Sequence, residues 1–202
     1  MSHLFYTINI HDALDKNNCV YMGEDALSIL LDGFSCSKNL EVEHFLKHNA
    51  IEFTKKNQSV THMVLRRSNS GDCLAGYFTL AVKPVSVRAS AISKTIGKKL
   101  SRISVLNKET DTYTASAYLI AQLGKNFALP REEQIQGTDL LNLADITVKM
   151  AQNIVGGVVE FLECEDNSFL LDFYAKNGFK AFDRRITDGE EPEELIQLLR
   201  FI

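Results

Sequence analysis

The segment from Val158 to Phe182 changes its hydrophobic period in mid-course. Val158, Val159, Phe161 and Leu162 form an apolar run too short for a helix and rich in β-branched and aromatic residues, so Val158 to Cys164 is predicted to be a buried strand. Leu170, Leu171 and Tyr174 then recur at helical spacing. Asp166 or Asn167 offers a side-chain oxygen to cap that helix. Asn177-Gly178 closes it, because glycine takes a positive φ at little cost. A buried strand therefore feeds a helix that carries Tyr174 near its C-terminal end.

With 202 residues, 45% of them hydrophobic and only three prolines, the chain has the material for a globular core. No linker or repeat interrupts it, and one domain spanning residues 1–202 is expected. The net charge of −4 excludes attraction of the whole surface to nucleic acid and leaves room for a local basic patch. No apolar run approaches the roughly 20 residues needed to span a bilayer. The stretch MSHLFYTINIHDALDKNN lacks a basic segment followed by a long apolar core, so a cytoplasmic chain without a membrane role is expected. Cys19, Cys36, Cys73 and Cys164 are widely separated and have no histidines at zinc spacing, which predicts reduced thiols and no metal.

Along the chain, Phe5–Ile10 alternates as a strand, and Glu24–Leu31 reads as a short helix ending at Gly33. A clearer helix places Val42, Phe45, Leu46, Ala50 and Phe53 on one apolar stripe. The period then switches, and Thr61–Arg66 and Leu74–Val82 flank the turn Ser68–Asp72 as a hairpin. Pro84 is expected to end regular ladder pairing nearby. Ala91–Arg102 is basic, with Lys94, Lys98, Lys99 and Arg102 after Arg88. It reads as a solvated face, with a phosphate-backbone contact as the sharper alternative. Ala115–Leu123 is a strand, Thr138–Asn153 a helix, Gly189–Glu194 an acidic turn and Leu195–Ile202 a final strand. His44 and His48 stand four apart, as two metal ligands on a helix might, but no carboxylate motif completes a site and an exposed helix face is expected. Cys164 has no histidine partner at readable spacing.

Asn167, Phe173-Tyr174 and Gly178-Phe179 together resemble the Asn-x6-Tyr-x3-Gly-Phe ending of the GCN5-related N-acetyltransferases, the GNAT superfamily. A second resemblance lies far from the first. Phe34-x-Cys36, the helix and hairpin after it, and Gly76-Tyr77-Phe78-Thr79-Leu80 are similar to the N-terminal half of the GNAT branch containing toxin-type enzymes that acetylate the amino acid on charged tRNA. The resemblance implies an α/β (α+β) fold: a mixed, mostly antiparallel central sheet with a splayed parallel strand pair and helices on both faces. It also implies acetyl-CoA (CoA) as donor, held between a first strand, Tyr118–Lys125, and a second, Val158–Glu163.

The family's phosphate loop reads Gln/Arg-x-x-Gly-x-Gly/Ala. Its best counterpart here is Glu132-Glu133-Gln134-Ile135-Gln136-Gly137, directly before Thr138-Asp139, with an acidic first position and Ile135 where the family has glycine. By carry-over, backbone groups of Ile135, Gln136, Gly137, Thr138 and Asp139 would hold the pyrophosphate. Leu123, Gly124 and Lys125 would lie along the pantetheine, with the Leu123 N–H as oxyanion donor. Asn167 and Phe173 would contact the cofactor, and Tyr174 would protonate the departing thiolate. No general base is legible. Glu160 is one candidate through a water, with an outward salt bridge as its plainer role.

The activity this implies is acetyl transfer to a primary amine on a small molecule, a protein or an aminoacyl-tRNA. A homodimer and an antitoxin-like partner are further implications. The alternative is a GNAT-fold binding or regulatory module that lost catalysis, which the degenerate loop favours. A nucleic-acid binder built on Lys94–Arg102 is the third reading.

Overall fold

The computed structural model describes residues 4–69, 71–187 and 192–202. Its strands are Phe5–Asn9 (β1), Val60–Arg66 (β2), Cys73–Arg88 (β3), Thr112–Lys125 (β4), Val159–Glu165 (β5), Lys180–Ile186 (β6) and Glu194–Phe201 (β7). The helices are Ile10–Leu14 (α1), Glu24–Asp32 (α2), Leu40–His44 (α3), Ala50–Lys55 (α4), Lys94–Leu100 (α5), Gly137–Val155 (α6) and Ser168–Lys176 (α7). The strands form one sheet in the order β1-β2-β3-β4-β5-β7-β6, mostly antiparallel with a parallel pair, and helices surround it. By compactness the chain divides into two units: residues up to Ala81 together with Ile120–Val148, and Val82–Leu119 together with Lys149–Ile202.

In the first unit β1, β2 and β3 pair antiparallel, with Ile8 opposite Met63 and His62 opposite Phe78. Their apolar side chains join Leu27, Leu31, Phe34, Leu46 and Ala50 in one core cluster. Gly33 ends α2 as expected, but in the right-handed region at φ −71, so its need for glycine is not conformational. Between α3 and α4 the helix widens into a π segment, Phe45–Asn49. The wider turn, with i→i+5 bonding, rotates the residues that follow. Thr54, and not Phe53, therefore takes the next fully buried position after Leu46 and Ala50, while Phe53 stays 38% exposed. Periodicity reasoning assumes a constant turn, and it misplaces Phe53 for that reason.

The hairpin forms with a register shift between Val64 and Leu65. Residue 70 of the expected Ser68–Asp72 turn lies outside the described residues. Asp72 accepts hydrogen bonds from the Ser68 N–H at 3.1 Å and the Tyr6 hydroxyl at 2.6 Å. Pairing with β2 ends at Leu80, yet β3 runs on to Arg88 through an exposed Pro84. The proline thus stands beyond the β2 ladder, where its missing donor is not needed for that pairing.

In the second unit β7 pairs antiparallel with both β5 and β6. Val85, Val87, Phe161, Phe182 and Leu199 pack there with Ile96 and Leu100 of α5. The strand β6 has no counterpart in the sequence reading, because Phe182 is its only buried side chain. Its Asp183, Arg184 and Arg185 carry the charges common on edge strands. Residues 188–191, within the expected acidic turn Gly189–Glu194, lie outside the described residues; Glu194 itself begins β7.

Candidate functional site

The sequence-derived site residues fall into two groups, one in each unit. In the first unit, Leu123, Gly124 and Lys125 end β4. Gly124 is buried, and a Cβ there would come within 2.5 Å of Val42 Cγ1, 2.8 Å of Tyr77 Cε1 and 3.1 Å of Phe34 Cζ. A Cβ on Gly76 would likewise stand 2.7 Å from the Gly124 carbonyl oxygen. The side chains of Val42, Tyr77 and Phe34 leave no room for one on Gly124, so Gly124 has a packing reason to be glycine that sequence spacing does not reveal. Sequence reasoning also missed Asn126, which is only 3% exposed. Its Oδ1 accepts from the Ser35 and Ala128 N–H groups, both at 3.0 Å, and its Nδ2 donates to the carbonyls of Leu74 at 2.8 Å and Gly33 at 3.4 Å. A buried amide with its polar atoms engaged locks the end of β4 to the loop before α3.

After β4 the chain reaches the degenerate loop. Ile135 is fully buried, near Gly76, so its side chain belongs to the core. Glu133 turns to Arg66, 3.6 Å away, and Gln134 Nε2 donates to the Leu129 carbonyl at 2.9 Å. The first helical bond of α6 runs from the Leu140 N–H to the Gln136 carbonyl at 3.0 Å. The N–H groups of Gly137, Thr138 and Asp139 precede that bond and have no carbonyl within the helix to accept them. They lie at the positive end of a long helix, and Gln136 and Thr138 are exposed. The acidic Asp139 in the first turn faces the same dipole.

In the second unit, β5 leads through Asn167 into α7. Of the two predicted caps Asn167 is the one used: its Oδ1 accepts from the Phe169 N–H at 2.9 Å, while Asp166 pairs with Arg184 at 3.0 Å. Gly178 ends the helix with φ +85, a conformation that selects glycine although nothing lies within 4 Å of an added Cβ. Tyr174 is 8% exposed, with its ring edge-on to Phe173 and Phe179 at centroid distances of 5.0 and 5.7 Å. Its hydroxyl has no hydrogen-bond partner among the described residues. Burial, and then the neighbouring Cys164, holds its pKa far above the ordinary tyrosine value. Burial, with Glu165 and Asp166 nearby, pushes the Cys164 thiol up to about 11, so it stays protonated at neutral pH.

Glu160 departs from the outward salt bridge expected of it. The residue is fully buried and pairs with Arg200 at 2.6 Å. Arg200 sits directly opposite it on β7, stacks 4.2 Å over Phe179 and donates to the Asn177 carbonyl at 2.9 Å. Because β5 is buried over most of its length, it shows no alternation that would mark an inward carboxylate. The legible signal was a matched pair of flaws, a glutamate within VVEFL and an arginine within LLRFI.

Elsewhere, Lys94 and Lys98 of α5 are exposed while Ile96 and Leu100 are buried, and Lys99 lies 4.8 Å over Phe201. His44 and His48 are exposed, with ring centroids 4.5 Å apart. Among the described residues no group of three or more His, Cys, Asp or Glu side chains is placed to hold a metal. The four cysteines are free thiols.

No protein-family model and no curated protein matches this chain. Solved structures do. AtaT complexed with acetyl-methionyl-tRNAfMet shares 19% identity and a TM-score of 0.60, over 95% of this chain and 93% of that one. A tyrosine-to-phenylalanine mutant of KacT gives 18% and 0.62 over 96% and 94%. The mutant AtaT toxin bound to the C-terminus of the antitoxin AtaR and acetyl-CoA gives 18% and 0.59 over 98% and 92%. At these identities the likeness is one of fold. It is the GNAT fold that the Asn167-to-Phe179 pattern resembles.

Proposed function

We propose that this chain is an acetyl-CoA-dependent N-acetyltransferase of the toxin-like kind, acting on the primary amine of an aminoacyl-tRNA. The observation that carries the reading is Tyr174: a buried ring with an unengaged hydroxyl at the end of an Asn167-capped helix. It occurs in a fold shared along nearly the whole chain with AtaT complexes that hold acetyl-methionyl-tRNAfMet or acetyl-CoA.

Acetyl-CoA supplies an acyl group already activated as a thioester. The chain's own groups would bind it, polarise it and manage the proton. Backbone N–H groups of Gln136, Gly137, Thr138 and Asp139, at the start of α6, would take the pyrophosphate. The Leu123 N–H would donate to the carbonyl oxygen as it gains charge, and Lys125 would flank the pantetheine through its backbone. Asn167 and Phe173 would contact the same arm. Tyr174, kept protonated at neutral pH by its burial, would give its proton to the departing sulfur.

Loss of catalysis was the alternative, and it rested on Ile135 in place of glycine. That side chain is turned into the core, where it does not obstruct a ligand on the loop's solvent side. Glu133, engaged with Arg66, does not oppose an anion at the helix start. By the same likeness the chain would bind an antitoxin-like partner, and a homodimer is part of the same proposal. A cytoplasmic location accords with this reading. Among the described residues no helix is long and apolar enough to cross a membrane.

The test is thiol release from acetyl-CoA with aminoacyl-tRNA, free amino acids, small amines and peptide N-termini offered in turn. Turnover is expected with aminoacyl-tRNA. Turnover confined to small amines or peptides would keep the transferase and change its acceptor. Absence of turnover with every amine would favour the binding module.

A further inference from the structure

Just past β4, two lysines converge on one aromatic ring. Lys38 Nζ stands 5.3 Å from the Phe127 ring centroid and Lys125 Nζ 5.5 Å from it, both within cation–π range. Neither lysine has a carboxylate partner among the described residues. Lys47, Lys55 and Lys56 of the same unit do, pairing with Glu43, Glu24 and Glu52. On a chain of net charge −4, two unneutralised ammonium groups held together are a local exception.

The scaffold keeps them together. The Phe127 N–H donates to the Ser35 carbonyl at 2.7 Å, and the buried Asn126 amide ties the same two segments. The turn that carries Lys38 is closed by the Asn39 N–H on the Cys36 carbonyl at 3.0 Å. Glu43 accepts from the Cys36 N–H at 2.7 Å, and the Asn39 side chain caps α3 through the Val42 N–H at 3.0 Å. Burial and then the like charge of Lys38 lower the Lys125 pKa. Backbone segments tied in this way present both ammonium groups to one ring, an arrangement suited to a shared anion.

We propose that Lys38, Lys125 and Phe127 form a phosphate-binding site. The binding claim stands on these contacts alone; assigning its phosphate to a substrate of acetyl transfer rests on the transferase reading. Two sources share the chemistry, a phosphodiester of a polynucleotide acceptor and the ribose phosphate of the coenzyme.

The experiment uses the full chain, with Lys38→Gln and Lys38→Glu variants. Affinity for a short labelled single-stranded RNA is read by fluorescence anisotropy between about 50 and 200 mM salt. Affinities for CoA and 3′-dephospho-CoA are read by calorimetry. The Lys38→Glu carboxylate would pair with Lys125 and remove both cations. If the phosphate is a polynucleotide's, Lys38→Gln weakens RNA binding roughly tenfold and lowers the log–log salt slope by about 0.7, and Lys38→Glu does about twice that. CoA binding then stays unchanged. If the phosphate is the coenzyme's, Lys38→Glu weakens CoA roughly tenfold and leaves 3′-dephospho-CoA unchanged. Lys38 is exposed, so melting curves should coincide with the parent and exclude misfolding. Unaltered affinity for both RNA and CoA in Lys38→Glu, or a parent that binds neither, overturns the proposal. RNA binding that responds to Lys38 in a chain that never binds acetyl-CoA would sink the transferase reading and leave this site standing.

Discussion

At the scale of single residues, the proposed chemistry rests on Tyr174, and Gly124 is fixed by the packing around it. A phenol whose burial keeps it protonated acts as a donor and not as a base. Tyr174→Phe removes only that hydroxyl, so coenzyme affinity should persist while turnover falls by about 10²-fold or more. An undiminished rate in a steady-state assay would take Tyr174 out of the acid role. Gly124→Ala tests the tight side-chain packing over Gly124. Its methyl would meet Val42, Tyr77 and Phe34 at 2.5 to 3.1 Å, and the overpacking should cost about 1–3 kcal/mol, visible as a lowered Tm. A Tm equal to the parent's would mean the neighbours give way freely. His62 sets an acid sensitivity. Its ring stacks on Phe78 at 4.9 Å, and burial, with His11 nearby, lowers its pKa from 6.5 to about 4. The unfolded chain therefore takes up a proton near 6.5 that the folded chain refuses until about 4, so stability falls as pH drops through that window. The loss should reach about 3 kcal/mol at its lower end. In urea titrations His62→Leu should flatten the dependence above pH ~5, where carboxylates contribute little. An identical slope in that variant would assign the acid sensitivity to other groups.

At the scale of elements, the start of α6 is the proposed binding feature. Gly137→Asp places a fixed negative charge beside N–H groups left free for phosphate, and it should weaken coenzyme binding at least tenfold by calorimetry. Equal affinity would mean the loop has been assigned to the wrong segment. This element was half legible in the sequence. The strand, loop and helix stood in order, and Gly137 marked the helix start, yet Ile135 looked like damage. Its meaning depended on which way the side chain points, and a single sequence does not carry that. Strand β5 and helix α7 were legible almost to the residue, because a change of period, a capping Asn167 and a left-handed Gly178 are all local signals. The π segment, the charged edge strand β6 and the Glu160–Arg200 pair were not. The π segment breaks the constant turn that periodicity assumes, β6 has one buried side chain to mark it, and Glu160 and Arg200 stand 40 residues apart.

At the scale of the whole molecule, a fold shared with AtaT and KacT carries Tyr174, the proposed acid, and the start of α6, the proposed pyrophosphate site. Nothing at this scale requires the acceptor to be known first, since every acceptor shares the same donor. Binding of that donor is therefore the most direct test. In a calorimetric titration of the purified chain with acetyl-CoA, the account predicts saturable one-to-one binding. At 100 times Kd, bound coenzyme should also raise the folding stability by about 2.7 kcal/mol. Heats indistinguishable from dilution, with no change in Tm at millimolar acetyl-CoA, would contradict it.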